Sequence, residues 1–152
     1  DGPELPVEFC RQSNNGRITL VITAGAQAVR TLWCELDVAT LDDAVTALRI
    51  REGTAIRFVD RLSAAANPIS DTAKTIQEWT RPKAIDGVVW TALPPKFNNQ
   101  DMTPTCEQVV NYLRGTVGEV RTDSETYVRR TPAQIKTAYR AEIELQLGWT
   151  PL

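Results

Sequence analysis

The sequence predicts an α/β or α+β domain, with a single mixed sheet of about five strands flanked by helices and a helical segment at about residues 103–148. Three observations lead there. The first forty residues carry β-branched and alternating patterns. Two further strand-like runs, Thr54–Leu62 and Val88–Leu93, are interleaved with helical patterns. Beyond Pro94-Pro95, apolar residues recur at steps of three and four. No linker or solenoid-type repeat interrupts the chain, so residues 1–152 read as a single compact domain.

Pro6–Arg11 and Arg17–Ala24 flank Ser13-Asn14-Asn15-Gly16, a turn-forming set that predicts a hairpin. Thr31–Asp37 alternates Leu32, Cys34 and Leu36 against Trp33, Glu35 and Asp37, which predicts a half-buried strand. Thr40 stands three positions before Asp43 and opens a helix with Leu41, Ala44, Val45 and Leu48 on one face and Gly53 beyond its end. Thr54–Leu62 follows as a strand. Ser70 or Asp71 caps a helix running towards Thr80, with Ala73 and Ile76 on its inner stripe, and Arg81-Pro82 ends it.

The continuous apolar run Val88–Leu93 predicts a central strand covered on both faces, stopped by Pro94-Pro95. Lys96–Met102 reads as an exposed loop. Thr103-Pro104 and Thr131-Pro132 each pair a cap with a first-turn proline and predict two helix starts. Gly115 and Gly118 break the first pattern, and Gly148 stops the second.

Composition narrows the chemistry. The chain has 17 basic and 19 acidic side chains, and this near balance argues against nucleic acid as a partner. Its sequence contains no histidine, which removes Ser-His-Asp and Cys-His catalysis and His-containing zinc sites from this chain alone. No apolar run reaches the length of a membrane span, so a membrane is not an expected partner. Cys10, Cys34 and Cys106 form no CxxC pair and read as reduced thiols, with a Cys10–Cys34 bridge as the alternative if their strands are neighbours.

Candidate site residues come from strand ends, helix starts and one loop. Asp37, Asp60 and Arg61 follow apolar strand residues and are the candidate catalytic set, because two carboxylates on one rim serve acid and base roles. Trp90, Thr91, Lys96 and Asn98 bring a large ring, a hydroxyl, a cation and an amide around a rigid two-proline reversal, and form the candidate ligand rim. Arg129 and Arg130 precede the Thr131 helix start, where an anion would meet free N–H groups. Cys106 falls in a first helical turn, but its place on the apolar stripe with Val109, Val110 and Leu113 favours a buried structural thiol. Phosphate-loop glycine signatures are absent.

The resulting expectation is a small-molecule binding domain or enzyme acting on an anionic, phosphorylated or carboxylated ligand, with reaction, cofactor and compartment unassigned. Its alternative is a protein-interaction module in which the C-terminal helices and exposed tryptophans bind a partner or a second copy of the chain. A large exposed apolar patch without a convergent polar cleft would mark the alternative.

Overall fold

The computed structural model describes residues 1–152 as a mixed α+β chain with five α-helices and two small antiparallel sheets. It groups into two compact units, residues 1–5 with 30–93 and residues 6–29 with 94–152.

In the second unit, β1 (Glu4–Gln12, whose first two residues group with the first unit) and β2 (Ile18–Ile22) form the expected hairpin, from Val7 opposite Ile22 to Gln12 opposite Ile18. Ser13 N donates to Arg17 O at 2.8 Å, and Gly16 supplies the positive φ of 87° that closes the turn. The register shifts between Phe9 and Arg11, so Cys10 lies at a bulge. Short β3 (Ala28–Arg30) completes the sheet order β2-β1-β3. Helices α3 (Cys106–Gly115), α4 (Gly118–Arg130) and α5 (Ala138–Leu147) follow, with α4 on β2 and α3 against α5. Phe9, Ile18, Phe97, Val109, Val110, Leu113, Val128, Ile143 and Trp149 form one buried cluster.

In the first unit, β4 (Val59–Ser63) pairs antiparallel with β5 (Gly87–Thr91), and α1 (Leu41–Glu52) packs on both strands. A Cβ on Gly87 would stand 3.0 Å from Leu41 Cδ1, a close approach between β5 and the first residue of α1. Val45, Leu48 and Val59, with Val89 beside them, make a small core. Helix α2 (Asp71–Thr80) turns Ala73 and Ile76 inward. No helix is long and apolar enough to cross a membrane.

Several helix signals act as expected. Thr40 accepts from Asp43 N at 3.1 Å, Ser70 accepts from Ala73 N at 3.1 Å, and Gly53 and Gly148 end α1 and α5 at positive φ. Others are displaced. Thr105 rather than Thr103 caps α3, because Gln108 reaches back to the Thr105 N–H and completes a reciprocal capping box. Thr131 closes α4 by donating its hydroxyl to Tyr127 O at 2.8 Å, and α5 waits for Thr137. Arg81-Pro82 does not stop the chain's helical course at once, since Arg81–Lys83 continues α2 as a 3-10 turn.

The single five-stranded sheet is not what forms. Thr31–Asp37 takes no strand conformation: its pairing to Gly2 and Pro3 stops at Thr31, and no strand lies alongside residues 32–37. Ile56–Phe58 is a 3-10 turn, so β4 begins only at Val59. The apolar run after Val88 does not become a central strand, because β5 has β4 as its one sheet neighbour and its residues stay half-buried. Lys96–Met102 is more ordered than a solvent loop. Phe97 and Gln100 exchange both backbone hydrogen bonds at 2.9 Å around Asn98 and Asn99, both at positive φ, and Phe97 enters the core.

Candidate functional site

The most unusual surface of the first unit begins where its chain is pinned. Thr31 N donates to Pro3 O at 3.1 Å, Thr31 Oγ1 donates to the same carbonyl at 2.6 Å, and Gly2 N donates to Thr31 O at 2.8 Å. A Cβ on Gly2 would lie 2.7 Å from Thr31 Oγ1, so this anchor needs glycine. Its far end is Thr40, the cap of α1. Between the anchors Leu32, Trp33, Leu36 and Val38 are 51%, 42%, 41% and 40% exposed. Four large apolar side chains thus stand exposed within seven residues of chain.

This stretch is placed but not paired. Val38 N donates to Leu36 O at 3.0 Å, and no backbone bond joins residues 32–35 to a neighbour. Trp33 meets Trp79 of α2 edge-on, with ring centroids 5.4 Å apart, while Lys83 Nζ stands 4.6 Å over the Trp79 ring. The exposed Cys34 is a free thiol near the Arg51 guanidinium of α1.

The candidate residues of the first unit do not converge on one rim. Asp60, second in β4, lies opposite Trp90, Arg61 lies opposite Val89, and Thr91 lies opposite Val59. Asp60 and Arg61, being consecutive in a strand, are directed to opposite faces. Arg61 is ion-paired with Asp42 of α1. Asp37 follows no strand and sits in the exposed stretch between Leu36 and Val38.

The second unit holds the rest. Lys96 N donates to Cys10 O at 3.3 Å, and Lys96 O accepts from Gln12 N at 2.8 Å. Asn98 N donates to Gln12 Oε1 at 2.7 Å. Arg129 pairs with Glu125 at 3.1 Å and donates to Thr150 O at 3.1 Å, which ties the chain end to α4, and Arg130 is exposed. Arg61 and Arg129 are therefore both matched by carboxylates of their own unit.

Two buried ionisable residues escaped the sequence reading. Glu8, between Val7 and Phe9 on β1, accepts from Phe9 N at 2.9 Å, from the Thr137 hydroxyl and from Tyr139 N at 3.2 Å. It thus caps the N-terminus of α5 alongside Thr137. Burial raises its pKa above the ordinary 4.5, and the hydrogen bonds offset this only in part. Arg140, 2% exposed, donates to Thr131 O at 2.7 Å, Pro132 O at 2.7 Å and Ile135 O at 3.1 Å, and pairs with Glu144 at 2.9 Å. It thereby satisfies carbonyls of the connection before α5. An acid between two apolar strand residues was the available signal for Glu8; for Arg140 the four-residue spacing to Glu144 marks the ion pair but not the burial.

All three cysteines are free, so the alternative Cys10–Cys34 bridge is not formed. Burial, and then Glu8, push the Cys10 thiol up to about 12. Cys106 opens α3 and lines a surface cavity of about 250 Å³ with Glu107, Val110, Asn111, Glu142 and Gln146. Burial first, and then Glu142 and Glu8, raise its pKa, which disfavours a thiolate there. Two carboxylates on this cavity suit it poorly to an anion.

Comparison of the chain with protein-family models, curated proteins and solved structures finds no match to any of them.

Proposed function

We propose that this chain works as a protein-interaction module whose binding surface is the Leu32–Val38 stretch of the first unit. One observation carries the reading: four large apolar side chains stand 40–51% exposed on a segment anchored at both ends. A protein surface that covers them gains the burial that the isolated chain forgoes, and fixed ends lower the ordering cost of binding. Trp33, already set against Trp79, is the natural aromatic anchor. By contrast, the exposed apolar residues of the C-terminal region, Val117, Leu145 and Leu152, are separated in sequence and form no comparable run.

The reading is tested by placing a photo-crosslinking aromatic residue at position 36 and, as a control, at exposed position 145. A discrete adduct from position 36 alone, lost when Trp33→Ser is added, supports it. Absence of any adduct, together with a thermal shift by phosphate, nucleotides or carboxylates that disappears in Arg61→Ala or Lys96→Ala, overturns it in favour of an anionic small-molecule site.

A further inference from the structure

We infer that the surface cavity between α3 and α5 binds a compact organic cation, an ammonium or guanidinium group carried on a short apolar stem. The cavity lies wholly within the second unit, and the inference stands independently of the Leu32–Val38 surface.

The walls follow from helix spacing. On α3, Cys106 and Val110 are four residues apart, as are Glu107 and Asn111; on α5, so are Glu142 and Gln146. Each pair therefore stacks along one helix face. Across the α3–α5 contact these residues line about 250 Å³, at the small end of ligand pockets. Val110 is buried, and with Cys106 it supplies an apolar side on which a short hydrocarbon stem sheds water.

The polar side is arranged for positive charge. Neither Glu107 nor Glu142 has an ion-pair partner, whereas Glu144, two residues from Glu142, is matched by Arg140. Arg114 reaches the same wall, but it donates to Asn111 Oδ1 at 2.9 Å and to Gln146 Oε1 at 2.7 Å. With that oxygen taken, Gln146 Nε2 donates to Glu142 Oε2 at 2.8 Å. This chain of bonds steadies the Glu142 carboxylate and leaves its other oxygen, with both oxygens of Glu107, for a ligand.

The lining also selects among ligands. An anion would meet two carboxylates. A metal ion needs convergent ligands, and no three acidic, thiol or imidazole side chains come together in the chain. An organic cation needs no such convergence, because its several N–H donors meet separate oxygens while its stem covers Val110. Burial, and then Glu142, raise the Cys106 pKa, so the thiol stays uncharged on the apolar side.

The experiment uses the whole chain carrying Cys34→Ser, which leaves Cys106 as the accessible thiol because Cys10 is fully buried. Exchange with a symmetrical disulfide joins one half of the reagent to Cys106 and releases the other half as a thiol. At equilibrium, capture from cystamine is expected to exceed capture from uncharged bis(2-hydroxyethyl) disulfide about tenfold, and Glu142→Gln or Glu107→Gln to bring the two within about twofold. Agmatine is expected to protect Cys106 saturably from the uncharged reagent, where sodium chloride of equal ionic strength does not. Stronger protection by agmatine than by acetyl-arginine amide assigns a free cation, and the reverse order assigns a basic side chain of another protein. Equal capture of the two reagents, a preference unchanged in both glutamine variants, or protection no better than salt overturns the inference. Circular dichroism checks that the variants fold, and the protection measurement decides without them.

Discussion

The two units differ in where they keep their unusual chemistry, one inside and the other outside. The second unit encloses polar groups and satisfies them: Glu8 on the start of α5, Arg140 on three carbonyls and Glu144, all beside a large apolar cluster. The first has a core of a few aliphatic residues and leaves Leu32, Trp33, Leu36 and Val38 outside. Ionisable groups buried in the one are costly to disturb, whereas apolar groups exposed in the other are free to be covered.

The sharpest way to break this contrast is Arg140→Ala, which strands the carbonyls of Thr131, Pro132 and Ile135 and the Glu144 carboxylate. A loss of about 3–5 kcal/mol is expected in urea unfolding. Leu113→Ala, at a fully buried position of the larger cluster, is expected to cost about 3–4 kcal/mol, and Leu48→Ala in the smaller core about 2 kcal/mol; unequal denaturant midpoints check this. Equal costs would mean that the first unit is packed as firmly as the second.

Glu8 adds a pH arm. Because its pKa in the folded chain lies above 4.5, the folded state retains a proton that the unfolded chain has released. The stability it contributes is therefore full below the ordinary value and lost as pH rises through the raised one. Urea unfolding from pH 4 to pH 8 should show the native chain losing stability relative to Glu8→Gln as pH increases. Thr105→Ala removes one half of the capping box and is expected to cost about 1 kcal/mol, read from the same unfolding curves. Arg61→Ala breaks only an exposed pair and should stay within about 0.5 kcal/mol.

What the sequence made legible was local. The Asn-Gly turn of the hairpin, the Thr40 and Ser70 caps, and the Gly53 and Gly148 stops all depend on residues a few positions apart, and all appear in the structure. What escaped was set by distant neighbours. Thr31–Asp37 has a strand's alternation but nothing alongside it, and Val88–Leu93 has the composition of a central strand but a single sheet partner. Arg140 is buried on carbonyl partners that come from an irregular connection, which no periodicity describes. Leu32 to Asp37 reads from sequence as a half-buried strand, and its exposure comes only with the structure.

The division of the chain also bears on the order in which it is made. Residues 30–93 are nearly all of one unit and can close upon themselves as soon as they are synthesised. The hairpin that starts the other unit has no such option, because two of the three donors for Glu8 lie at Thr137 and Tyr139, near the far end of the chain. An early-made strand therefore carries a carboxylate whose Thr137 and Tyr139 partners are missing until the last helix arrives, and the second unit inherits the slow, long-loop closure that such separation imposes.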